Sequence, residues 1–217
     1  MTSGQLSSGG LCCGSGPDSP TDDTDDVLLV GLQGSGKTLL CQRLRTVYGK
    51  APAAFRMATT DTNGSQDFRV PTFKGCPFKE IRIRECGGSM QPLWHNWYSR
   101  PLRAVLFTLD VSDPATLAAG GLELHRILQQ PELASKPVCL VLTKVDLPLG
   151  ATRGELDLTL GLSELEQLYP DRLRVTAVSA ARSPEECPEL RALVDWLVGV
   201  KAGDAAAGGV QPASRRR

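Results

Sequence analysis

Short apolar runs alternate with stretches of helical period along most of this chain. Val27-Leu28-Leu29-Val30 is the first run, and apolar positions then recur at helical spacing from Lys37 to Val47, with Gly49 as the expected stop. Residues 50–66 show no period and are rich in Ala, Thr, Asn and Gly, the composition and length of a functional loop. Phe68 to Phe73 and Phe78 to Glu85 read as two strands joined by the turn Lys74-Gly75-Cys76-Pro77. Ala104 to Leu109, Val138 to Leu142 and Leu173 to Val178 are apolar at nearly every position, as strands buried on both faces of a parallel sheet are. Helical patterns near 115–130, 163–169 and 186–199 separate them. The alternation predicts one α/β domain, a mostly parallel, doubly wound sheet flanked by helices.

The ends differ in character. Residues 1–25 are small and polar and close in the acidic run Asp22-Asp23-Thr24-Asp25-Asp26, and residues 201–217 are equally poor in large apolar groups. Both are expected to be disordered, leaving 26–200 as the folded domain, a normal size for one core. Lys plus Arg and Asp plus Glu each total 24, so no net field favours a nucleic acid or an anionic bilayer. The seven cysteines are scattered without CxxC spacing and suit a reducing compartment.

No run approaches the ~18 apolar residues of a membrane span, and the start lacks the order of a secretory signal, so a cytoplasmic protein is expected, peripheral to membranes at most. Thr2 and the ending SRRR fit neither the N-myristoylation pattern nor a prenylation box. Cys12-Cys13 reads as an acylation site or as an unmodified pair in a solvated tail.

The strongest motif is Gly31-Leu32-Gln33-Gly34-Ser35-Gly36-Lys37-Thr38, which matches GxxxxGK[ST] and lies directly between a strand and a helix. Glycines there let backbone N–H groups turn inward around a phosphate, and the following helix adds the positive end of its dipole. Lys37 is expected on the β- and γ-phosphates and Thr38 on Mg²⁺. A base-reading element decides between ATP and GTP. Thr143-Lys144-Val145-Asp146 follows the Val138–Leu142 strand at the edge where doubly wound sheets bind ligands. An aspartate there accepts from guanine N1–H and N2–H₂ together, a match adenine lacks, while the Lys144 stem covers the ring. Downstream, the loop Ser179-Ala180-Ala181 would offer backbone amides to the guanine carbonyl, or simply cap a helix.

The order of P-loop, Glu85-Cys86-Gly87-Gly88, TKVD and Ser-Ala resembles that of small GTPases. Gly87 to Trp94 followed by Leu106 to Asp113 is similar to the ADP-ribosylation-factor group. The resemblance covers about 26–200 and implies a P-loop NTPase fold that holds GTP or GDP with Mg²⁺. It implies Thr59 as the first switch threonine on the metal, with Thr60 and Thr62 as neighbours of the same chemistry, and Glu85 as the second switch carboxylate. Gly88 would report the γ-phosphate through its amide.

The chain departs from the group's pattern at Glu85, where Asp is usual, and at Ser89, where a water-orienting glutamine is usual; the stretch to Pro92 is also short. Gln33 and Gln91 are the amides that remain nearby, and the catalytic candidates are Gln33, Gly88 and Ser89. The function expected is a GTP/GDP switch with slow hydrolysis, partnered by effectors and an activating protein in membrane or ciliary trafficking. A constitutively GTP-bound module and a P-loop ATPase or kinase are the alternatives. Trp94, Trp97 and Tyr98 read as core or as effector surface, with Trp94 the buried one; His95 and His125 carry no chemistry.

Overall fold

A computed structural model describes residues 26–49, 57, 59–148 and 150–200. The proposed arm 1–25, the tail 201–217 and residues 50–56 and 58 of the long loop lie outside the described residues.

Six strands form one sheet in the order β2-β3-β1-β4-β5-β6. They are β1 (Asp26–Gly31), β2 (Ser65–Pro71), β3 (Glu80–Cys86), β4 (Leu102–Asp110), β5 (Val138–Thr143) and β6 (Leu173–Ala177). Every pairing is parallel except that of β2 with β3. Five α-helices join them: α1 (Lys37–Val47), α2 (Pro114–Gln129), α3 (Arg153–Leu160), α4 (Leu162–Leu168) and α5 (Pro188–Gly199).

Period-two alternation divides the core between the two faces of the sheet. Leu28, Val30, Val105, Phe107, Leu109, Leu140 and Leu142 point to the side covered by α2, α3 and α4. Val27, Leu29, Leu106, Cys139 and Val141 point to the side covered by α1 and α5. All positions of β4 and β5 are buried, which is why their sequences are apolar throughout.

Where β1 meets β4 the register steps from Asp26↔Leu102 to Val27↔Ala104, so Arg103 is an extra residue in β4. The bulge turns Arg103 toward α5, where it donates to the carbonyls of Leu197 (3.4 Å) and Val200 (3.0 Å) at the negative end of that helix.

Differences from the sequence reading are local. Helix α3 was not anticipated, although Thr152 and Glu155 form a reciprocal capping box at its start. A 3₁₀ segment spans Gly88–Trp97 and draws Tyr98 inside to 6 % exposure; Trp94 is buried, as expected, and Trp97 is half-buried, so neither Trp97 nor Tyr98 is the exposed aromatic expected of one of them.

Helix α2 crosses the sheet on Gly120, whose Cβ, if present, would stand 2.2 Å from Leu109 Cδ1. Gly120→Val should therefore destabilise the fold by about 1–3 kcal/mol through overpacking, read as a lowered midpoint in thermal or urea unfolding.

Candidate functional site

The loop between β1 and α1 turns on glycines. Gly34 and Gly36 take left-handed φ of 76° and 82°, and a side chain at Gly31 would run into Thr108 at 2.2 Å. Two neighbours fix the loop from β4 and β5: Thr108 bonds the Ser35 hydroxyl at 2.8 Å, and the Thr143 hydroxyl donates to the Ser35 carbonyl at 2.9 Å. Gly36 caps α1, so the first amides of that helix face the loop's concavity. Lys37 is 6 % exposed and its ammonium donates to the carbonyls of Gly31 and Leu32, each at 2.8 Å. Burial draws the Lys37 pKa below its ordinary value, with Glu85 and then Asp61 opposing. An anion in the loop would relieve that cost.

Thr38 and Glu85 meet at the next position. The Thr38 hydroxyl donates to Glu85 Oε1 at 2.7 Å, and the Thr62 hydroxyl donates to the same oxygen at 3.1 Å and lies 3.3 Å from Thr38. Glu85 is 1 % exposed and its Oε2 is buried without a partner. Two hydroxyls and a carboxylate with a spare oxygen are hard donors that fit Mg²⁺, an ion usually held by few carboxylates together with phosphates and water. Among the described residues no group of three or more His, Cys, Asp or Glu is placed to hold a metal, so no all-protein cage competes with this set. Thr62, not Thr59, is the threonine that the fold brings to Thr38 and Glu85; Thr59 is exposed on the rim. A cavity of about 350 Å³ opens here, walled by the P-loop, by Met57 and residues 59–62, and by Glu85, Gly88, Ser89 and Lys144.

The glycine pair after β3 is pinched between two backbones. A Cβ on Gly87 would sit 2.0 Å from the Thr62 carbonyl, and one on Gly88 would sit 2.2 Å from the Gln33 nitrogen. Gly88 therefore brings its amide against the mouth of the P-loop. Trp94 fixes the pair from below, its indole N–H donating to the Gly87 carbonyl at 3.1 Å. Gln33 reaches across the cavity and donates to Asp61 Oδ2 at 2.6 Å, and Ser89 is exposed beside it.

At the other end, β5 and β6 pair through Leu142↔Ala177, so the Thr143–Asp146 and Ser179–Ala180 loops leave the same edge side by side. Lys144 takes a left-handed φ of 61° and its ammonium lies 2.6 Å from Asp110 Oδ2 at the end of β4. Burial alone would raise the Asp110 pKa, but the bonds from Lys144 and Ser112 outweigh it and hold the carboxyl below its ordinary value. Asp146 is half-buried beyond Lys144, and Ser179 is 1 % exposed with its hydroxyl unpartnered. Three contributors escaped the sequence reading: Asp110 as the anchor of Lys144, Trp94 under Gly87, and Arg43, which reaches the Ala180 loop. None of these contacts carried a sequence signal, whereas Thr62 was one of the three threonines left open.

A scan of family models matches residues 21–199 to the ADP-ribosylation factor family. ADP-ribosylation factor-like protein 16 of Homo sapiens is 31 % identical over 173 residues, covering 78 % of this chain and 83 % of its own length. ADP-ribosylation factor-like protein 1 of Saccharomyces cerevisiae is 30 % identical over 178 residues, 80 % of this chain and 86 % of its own. Among solved structures, the Arl6 BBS3 small GTPase of Trypanosoma brucei with bound nucleotide analogue GppNp superposes with a TM-score of 0.60 at 20 % identity, over 80 % of this chain and 94 % of that one.

Loss of the Asp110 carboxylate in Asp110→Asn should free Lys144 and weaken ligand binding about tenfold, the scale of one charged hydrogen bond. Because the folded Asp110 pKa is depressed, its contribution is complete above the ordinary carboxylate range and fades as pH falls through the folded value. Thermal unfolding from pH 7 to pH 3 should therefore show the wild type and Asp110→Asn converging in acid; a constant gap would contradict the ion pair.

Proposed function

Given that the chain belongs to the ADP-ribosylation factor family, we propose that it is a slow guanine-nucleotide switch, in which GTP orders residues 57–64 and 85–98 into a surface for a protein effector. One observation carries this reading: the P-loop, the Glu85–Gly88 segment, Lys144–Asp146 and Ser179–Ala180 all leave the same edge of one sheet. In this arrangement Lys37 and the loop amides hold the β- and γ-phosphates, Asp146 accepts from guanine, and the Ala180 loop meets its carbonyl oxygen.

Mg²⁺, when bound, would neutralise charge between the β- and γ-phosphates. Thr38, Thr62 and Glu85 are the residues that would hold it, with Thr62 in the place the resemblance assigned to Thr59. Gly88 senses the γ-phosphate, and its loss releases both loops. The half-buried Trp97 and the exposed Leu93 of the 3₁₀ segment belong to the effector surface.

The process, membrane or ciliary trafficking from the cytoplasmic side, is supported by kinship with the ADP-ribosylation-factor-like proteins. No described helix is long and apolar enough to cross a membrane. A second reading, a module that stays loaded with GTP, draws on one contact: Gln33 is engaged by Asp61, which leaves Ser89 as the short side chain at the hydrolytic position.

The nucleotide released from freshly purified protein separates these readings. Mostly GDP supports the switch, mostly GTP the loaded module, and adenine nucleotide refutes both. Asp146→Asn should cost GDP binding about 2–4 kcal/mol, since guanine N–H groups lose a charged acceptor. Labelled GDP and ADP titrations check it, and an unchanged GDP affinity would exclude Asp146 as the base reader. Thr38→Asn should favour GDP over GTP, because the charge neutralisation by the metal that Thr38 would help hold matters most for the triphosphate. Single-turnover hydrolysis should run at or below ~10⁻⁴ s⁻¹ and rise in Ser89→Gln. A collapse in Gln33→Ala would instead place the water-orienting amide in the P-loop.

A further inference from the structure

Arg43 lies in the middle of α1, yet its side chain serves a loop 137 residues downstream. Its Nε donates to the Ala180 carbonyl at 3.0 Å, and Nη2 donates to the Ala181 carbonyl at 3.0 Å. The residue is 9 % exposed, and the bond to Ala180 is buried while that to Ala181 is partly so, a setting in which a guanidinium fork is strong and directional.

The Ala180–Ala181 and Ala181–Arg182 peptides are thus both fixed on Arg43. Among the described residues, neither the Ala180 nor the Ala181 amide donates a hydrogen bond within the chain. Buried donors left without an acceptor are costly, and a backbone held with its carbonyls on one cation presents its amides the other way.

From this geometry we infer that Arg43 is a positioning residue for base specificity: it clamps the Ala180–Ala181 carbonyls so that the loop's free amides read the carbonyl oxygen on C6 of guanine. The inference rests on the guanine reading proposed above. It adds a division of labour, in which Asp146 reads the N1–H and N2–H₂ edge and the Arg43-braced loop reads O6. Because Arg43 and the phosphate residues Lys37 and Thr38 belong to one helix, the brace also ties the base end of the site to its phosphate end.

Two analogues separate these contacts. 6-Thioguanosine diphosphate keeps N1–H and N2–H₂ but replaces O6 with a larger, weaker acceptor, whereas inosine diphosphate keeps O6 and loses N2–H₂. Full-length wild-type protein, Arg43→Met and Arg43→Lys would be titrated with GDP and both analogues, with thermal melting as a check on folding. The wild type should prefer GDP over the thio analogue by about tenfold, one amide bond to a charge-polarised acceptor. In Arg43→Met that preference should fall below about threefold, with the GDP-to-inosine ratio unchanged, and Arg43→Lys, keeping one donor, should lie between. An equal loss for all three nucleotides in both variants would show mere packing and overturn the assignment. A wild type without preference for guanine over adenine nucleotides would overturn the guanine reading itself, and the brace with it.

Discussion

The site is organised around one buried carboxylate. Glu85, next to last in β3, is almost without exposure, shares Oε1 between two threonine hydroxyls and leaves Oε2 with no partner. A carboxylate in that setting is stable only if positive charge lies near, and the nearest fixed cation is Lys37, itself buried and drawn below its ordinary pKa. Neither charge satisfies the other, since Lys37 turns to the Gly31 and Leu32 carbonyls. The resulting mismatch, an anion and a cation brought to one site from β3 and α1 without satisfying each other, is what a metal-bound phosphate would complement. The first switch residues depend on it directly, because Thr62 is held by Glu85.

The strand framework was legible because β1, β4 and β5 are buried on both faces, and burial on both faces forces apolar residues at consecutive positions. Helix α3 was not, since Leu156 and Leu160 supply its only buried positions and Leu158 is 91 % exposed, which blurs the period. The P-loop was legible to the residue, as its conformation demands glycine at fixed points and a lysine at the helix start. The threonine that meets Glu85 was not: Thr59, Thr60 and Thr62 are chemically alike, and the contact is set by the Ser65↔Cys86 register of β2 on β3, with the Gly87 amide bonding the Gly64 carbonyl at 2.9 Å. Register is a long-range property. Arg43 was hidden for the same reason, because a helix arginine reads as solvated until the loop it holds is placed beside it.

Close backbone packing couples the two switch segments to the P-loop without any side chain of their own. Gly87 touches the Thr62 carbonyl and Gly88 touches Gln33, each too close for a Cβ, so movement of one segment cannot leave the others in place. Trp94 extends the chain of contacts into the core through the Gly87 carbonyl. Tyr98 is buried nearby, and its phenol is raised above its ordinary pKa chiefly by burial, which keeps it neutral and apolar in effect. On the switch reading proposed above, these contacts are the route by which a change at Gly88 would reach the 3₁₀ segment.

Hydrolysis sets a different demand from binding, and the same contacts answer it poorly. Orienting a water requires an acceptor and a donor held at the γ-phosphate but otherwise unengaged. Gln33 has the right group, yet its amide is spent on Asp61, a bond that closes the first switch loop over the cavity. Ser89 stands free beside it but is too short to replace a glutamine amide. On the switch reading proposed above the two demands trade against each other, since Gln33 cannot both hold Asp61 and meet the water. A partner that displaced Asp61, or supplied its own amide or guanidinium, would satisfy both at once, so the proposed slow turnover and the proposed need for an activating protein share one contact.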